Sequence, residues 1–145
     1  MKIFLDTNVL VAASIRQHPH FLRADAILRH CESGDFVGVV HSHSLLEFHS
    51  AVTQLPKGLA VPPAQVEKLL AQGILPFVRQ IALTASQVRS VQVRAGQAGL
   101  IGGIIYDLQH LTVALREKVD RLYTFNVAHF RHLAPENFQE QIVAP

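Results

Sequence analysis

The chain is poor in the residues that most often staple or anchor a protein. Among its 145 residues there is one cysteine, one methionine and no tryptophan. A lone thiol, Cys31, excludes an internal disulfide and fits a reducing compartment. Beside Glu32 it reads as a helix-surface thiol rather than a nucleophile. No apolar run approaches the ~18 residues that span a bilayer. The first apolar run breaks at Asp6, so the amino terminus lacks the form of a signal segment. The expectation is a cytoplasmic protein with no membrane partner. Charged residues make up 17% and apolar residues 49%, a globular composition. With no repeat, low-complexity tract or linker, the length suits one domain over residues 1–145.

Acids are scarce as well, eleven against thirteen Lys and Arg. Their gaps matter more than the formal charge of +2. No acid lies between Glu67 and Asp107, where Lys68, Arg79, Arg89 and Arg94 fall. Residues 7 to 24 are also acid-free and carry Arg16, His18, His20 and Arg23. Such stretches suit either a phosphate backbone or an ordinary solvated surface, and charge alone does not separate the two.

What is present is a regular alternation. Ile3-Phe4-Leu5, Phe36 to Val40, Phe77-Val78-Arg79, Asp120 to Thr124 and Gln141-Ile142-Val143 are short apolar runs of strand length. Helical spacing covers Val9–Ile15, Phe21–Cys31, the stretch from Ser42 or Ser44 to Leu55, and Ala64–Gln72. It returns before Gln97, at Ile104–Glu117 and from Asn126 to about His132. Strands alternating with helices predict an α/β fold, a parallel sheet of four to five strands with helices on both faces. In such sheets, ligands sit at the carboxyl ends of the strands.

Asp6 ends the first strand and therefore falls on that edge, with Thr7 or Asn8 expected to cap the next helix. Alone, it reads more readily as a turn residue. Glu47 lies between Leu46 and Phe48, and Ser44-Leu45-Leu46-Glu47 matches a capping box. Asp107 is harder to explain structurally. Its helical neighbours Ile104 and Leu111 are apolar, and a carboxylate held against a core needs a partner or a metal. Thr124 and Asn126 follow a strand and present oxygens at the same edge as Asp6, or cap the helix after it. His41-Ser42-His43 has the look of a zinc pair. With no thiol or acid at matching spacing, it reads better as the solvated opening of a helix.

Phe4-Leu5-Asp6-Thr7-Asn8, Glu47, Gly102-Gly103-Ile104-Ile105-Tyr106-Asp107 and Thr124-Phe125-Asn126-Val127-Ala128-His129-Phe130 occur in an order and spacing that resembles PIN-domain proteins. The VapC-type toxins of prokaryotic toxin–antitoxin pairs are the nearest likeness, and it covers almost the whole chain. The resemblance implies a metal-dependent endoribonuclease with Mg²⁺ or Mn²⁺ as cofactor, RNA as substrate, a cognate antitoxin as partner and a homodimeric state. Carried over by position, it makes Asp6, Glu47 and Asp107 the metal-binding acids, with Asn126 and Thr124 completing the catalytic set. Asn126 stands where an aspartate is common, and His129 where a further acid is often found. Both departures weigh against a tightly held second metal.

Carboxylate and amide oxygens suit a hard cation. Asn8, Arg16, Arg89 and Arg94 are the residues expected to hold substrate. Two other readings compete: a non-catalytic PIN-like binding module, which Asn126 permits, and a phosphatase or receiver-like domain using Asp6 as nucleophile. The second ranks last, because Thr7-Asn8-Val9 supplies no acid or lysine beside Asp6.

Overall fold

The structure, a computed structural model, describes all residues from 1 to 145. Five strands form one sheet: β1 (Lys2–Leu5), β2 (Val37–His41), β3 (Val78–Ile81), β4 (Arg121–Tyr123) and β5 (Ile142–Val143). Every neighbouring pair is parallel, in the order β3-β2-β1-β4-β5. Seven helices cover it: α1 (Thr7–Ser14), α2 (Phe21–Glu32), α3 (Ser44–Thr53), α4 (Pro63–Gly73), α5 (Ala85–Gln97), α6 (Ile104–Arg116) and α7 (Val127–Leu133).

The central strand shows why its sequence is apolar throughout. Side chains alternate across a strand, and here both sides are covered. Ile3 and Leu5 pack with Val9, Leu10, Leu28, Phe48, Val52 and Leu70, the faces of α1 to α4. Phe4 points the other way, into Leu111, Ala114, Leu122 and Phe130 from α6, β4 and α7. A strand buried on both faces cannot alternate polar with apolar residues. α5 lies outside α6, joined to it through Val91, Ala95 and Leu108.

The strand order sets the position of the site. From β1 the chain steps outward through β2 and β3, then returns to place β4 on the other side of β1. Connections leaving β1 and β4 therefore diverge, and a crevice opens beyond their carboxyl ends. The register pairs Leu5 with Tyr123, and the Asp6 amide donates to the Tyr123 carbonyl at 3.0 Å. Asp6 and Thr124, the residues after each strand, are thereby brought level.

Three local expectations change. α1 starts at Thr7 and is capped by Asp6, not by Thr7 or Asn8; the Asp6 Oδ1 accepts from the Thr7 amide at 2.7 Å. β3 begins at Val78, because Pro76 helps draw Leu75–Phe77 into a 3-10 turn. Cys31 is buried, 6% exposed, and burial pushes its thiol up to about 11. It lies so close to β2 that a Cβ on Gly38 would fall 2.9 Å from its Sγ, so glycine is needed there for packing. No helix is long and apolar enough to cross a membrane.

Candidate active site

Asp6, Thr7, Asn8, Glu47, Asp107 and Asn126 line one cleft of about 350 Å³ at this crevice, with Val11, His18, Ala51, Gly103 and Tyr106 completing its wall. The acids arrive on three separate elements: the end of β1, the first turn of α3 and the first turn of α6. Only the sheet topology brings them together: the Thr7–Glu47 contact spans 40 residues of sequence and the Thr124–Asp6 contact 118.

Asp6 is 4% exposed and fully oriented. Its Oδ2 accepts from the Thr124 hydroxyl at 2.6 Å while Oδ1 faces the Thr7 amide. Thr124 is itself wholly buried; its hydroxyl also accepts from the Asn126 amide at 2.9 Å and from the Asn8 side chain at 3.3 Å. Thr124 therefore positions Asp6 from below rather than reaching into the cleft. Asn8 closes the same frame by accepting from the Phe125 amide at 3.1 Å. Asn126 occupies the position before α7 but makes no side-chain cap, leaving its amide at the cleft.

Glu47 does not cap α3. That helix begins after His43 with no side-chain cap, and the Ser44 hydroxyl is buried without a partner. Instead Oε2 of Glu47 accepts from the Thr7 hydroxyl and faces Nε2 of His110, each at 2.7 Å. His110 is 1% exposed and sits one helical turn after Asp107 on α6. Sequence reasoning passed over it. The signal was present, because i and i+3 share a helix face and an inward-facing Asp107 puts His110 beneath it.

The three carboxyls differ in electrostatic state. Burial raises Asp6 from 3.8 to about 6, reinforced by the charge of Asp107 and opposed by His110, Thr124 and the Thr7 amide. Burial also raises Asp107, against the pull of His110 and of His129, whose Nδ1 lies 3.5 Å from Oδ2. Burial works on Glu47 in the same direction, but the hydrogen bonds of His110 and Thr7 outweigh it and hold Glu47 below its usual value. Glu47 is thus an ionised acceptor, and the His110 Nε2 is the donor to it.

His41 is no solvated residue. It ends β2 at 5% exposure, and burial, with His110 and His43 nearby, lowers it to about 4. Arg16, Arg89 and Arg94 do not line the cleft. Arg16 borders a separate cavity walled by α1, α2 and α4, and Arg89 and Arg94 are exposed on α5. The acid-free stretches are dispersed over the surface because their charges follow helix faces rather than the strand ends.

Because His110 donates to Glu47, His110→Phe should keep the ring packing against Phe4 but lose the N–H. The Glu47 carboxyl, held low mainly by that bond, should then titrate higher, followed by NMR on the folded variant. An unchanged Glu47 titration would reduce His110 to a packing residue.

A PIN domain family model matches residues 3–134, which contain all of these positions. The chain belongs to the PIN-domain family. Two solved structures share the fold of this PIN domain. Mycobacterium tuberculosis VapC20, described as a sarcin-ricin loop cleaving toxin, is 17% identical over 99% of both chains, with a TM-score of 0.69. Rickettsia felis VapBC2, bound to a DNA fragment from their promoter, is 22% identical over 91% of this chain and 92% of that one, with a TM-score of 0.61. No curated protein sequence matches significantly.

The donors at the head of this PIN domain are carboxylate and amide oxygens, the chemistry of a hard cation. No group of three His, Cys, Asp or Glu converges at ligand spacing. The donors present would suit a hard cation held by one or two carboxylates with water completing its shell. Two carboxyls pushed upward in pKa by burial, Asp6 further by the charge of Asp107 and Asp107 by that of Glu47, are what such a charge would relieve.

Proposed function

We propose that this PIN domain is a divalent-metal-dependent endoribonuclease cutting RNA phosphodiester bonds, the toxin of a type II toxin–antitoxin pair. The observation that carries this reading is the convergence of Asp6, Glu47, Asp107 and Asn126 on one cleft. Family membership and the shared fold with VapC20 and VapBC2 support it.

Asp6 and Asp107 would hold the cation, Mg²⁺ or Mn²⁺, with Glu47 completing the acidic site. When bound, the cation would supply an acidified water and offset charge on the scissile phosphate. Thr124 and the Thr7 amide fix the Asp6 carboxylate, so its remaining lone pairs face the cleft. The Thr7 hydroxyl and His110 fix Glu47 in the same way. Asn126, uncharged and without a capping bond, would hold a ribose or phosphate oxygen. Outside the cleft, Arg16, Arg89 and Arg94 would attract the RNA backbone through longer-range charge. An antitoxin arginine entering the acidic cleft would inhibit by pairing with these carboxylates.

The test is a titration of Mn²⁺ into the chelator-treated protein, followed by incubation with structured and unstructured RNA. Cation binding with cleavage that EDTA stops is expected. Neither binding nor cleavage would favour a non-catalytic PIN-like module instead.

A further inference from the structure

The cleft wall contains no lysine or arginine, so it offers a phosphate no fixed positive side chain. What it does offer, besides acids and amides, is rings. Tyr106 directly precedes Asp107 and is 49% exposed at the lip. Its ring stacks on His43 with centroids 5.4 Å apart and planes 23° from parallel. The His43 Nε2 lies 3.6 Å from Oε1 of Glu47. Beneath it the ring series continues inward through His41, at 6.1 Å from His43, to the buried His110, at 5.3 Å from His41. Four rings thus climb from the core to solvent, and the outermost has a free side.

The turn of chain before Tyr106 carries no side-chain bulk at Gly102 and Gly103. A Cβ built on Gly102 or Gly103 would meet nothing within 4 Å, and Gly102 takes a φ of +72° that other residues rarely adopt. Across the cleft, His18 lines the wall, and His20 stacks on Phe125 at 4.5 Å and 20°.

We propose that Tyr106, backed by His43, is a stacking platform for an unpaired nucleobase next to the bond being cut. The inference rests on the ribonuclease reading and names the side chain that would hold an unpaired base there. A base held in a helix keeps its faces covered by its neighbours, whereas a splayed base can lie against an aromatic ring. Such stacking tolerates any base, since each has a π-face, so the platform selects accessibility rather than sequence. A side chain already held in a stack loses little freedom when a base joins it.

The experiment uses the Asp6→Asn chain, which would bind RNA without cutting it, and oligoribonucleotides of about eight nucleotides. Each carries 2-aminopurine at one position, whose fluorescence is quenched by stacking. One position should be quenched on binding. Adding Tyr106→Ala should remove that quenching and weaken binding about 5- to 100-fold, while Tyr106→Phe should restore both. An abasic residue at the same position should erase the difference between the two variants. In the chain with Asp6 intact, the Tyr106→Ala loss should fall on KM rather than on kcat. RNA that is bound and cut, with Tyr106→Ala matching the parent in affinity and quenching, would overturn the platform alone. A parent that neither binds nor cuts RNA would overturn the platform and the ribonuclease reading together.

Discussion

Asp6→Asn should lower RNA cleavage by about 10³-fold or more while the purified protein stays folded, measured as initial rates on RNA that the parent cuts. The size follows from the place Asp6 holds. It is the most buried carboxyl of the cleft, 4% exposed, and both its oxygens are oriented, one by the Thr7 amide and one by Thr124. Replacing one oxygen by an amide nitrogen removes the charge with almost no change of shape. Loss of a principal anionic ligand takes several kcal/mol of transition-state stabilisation, and each 1.36 kcal/mol is tenfold in rate. Asp107→Asn should behave alike. Folding should survive because the apolar packing of β1 rests on Ile3, Phe4 and Leu5. A folded Asp6→Asn chain cutting at the parental rate would end the proposed assignment.

The same residue gives the largest expected effect on stability, and its sign is opposite to that of an ordinary paired carboxylate. Asp6 titrates at about 6 when folded, against the usual 3.8. Below 3.8 folded and unfolded chains both hold the proton, and the site carries no penalty. Above 6 both have lost it, and the folded chain bears the full cost of an ionised carboxylate out of water. Between these limits the folded chain binds more protons, so its stability falls as pH rises. With a chelator present, this contribution should amount to about 3 kcal/mol.

Other groups titrate in that window, so the informative quantity is the difference between the parent and Asp6→Asn. Denaturant unfolding should show the asparagine variant gaining on the parent from pH 4 to pH 7. The gain will be trimmed by its amide nitrogen, which replaces an acceptor of the Thr124 hydroxyl. At pH 7.5, Mn²⁺ should raise the parent's unfolding midpoint and leave the variant's almost unmoved, since a ligand stabilises only the state that binds it. A stability gap independent of pH would show that Asp6 is not the strained carboxyl.

Much of this architecture is legible in local sequence. Ile3-Phe4-Leu5 cannot be a half-exposed strand, and the repeated change from strand-length runs to helical spacing leads to a parallel sheet. The strand-end position of Asp6 is legible because a core strand stops at it, though alone it reads as a turn residue, and Asp107 stands out because its helix neighbours are apolar. Glu47 is where local reasoning misleads. Ser44 to Glu47 satisfies the pattern of a capping box, yet His110, 63 residues away, and Thr7 take the carboxylate instead. The charged stretches are legible as gaps in acidity, but the sequence does not show that Arg16, Arg89 and Arg94 lie away from the cleft.

Periodicity and apolar run length, which act between near neighbours, were enough to determine the α/β class, the parallel sheet and the strand-end position of Asp6. The strand order β3-β2-β1-β4-β5 lay beyond them, and with it the crevice between β1 and β4. So did the burial that separates Asp6, raised to about 6, from Glu47, held low. Desolvation and long-range hydrogen bonds depend on what the completed fold packs around each oxygen. Only the tertiary structure shows the buried histidine bonded to Glu47 and the exposed tyrosine at the lip of the cleft that the three acids line.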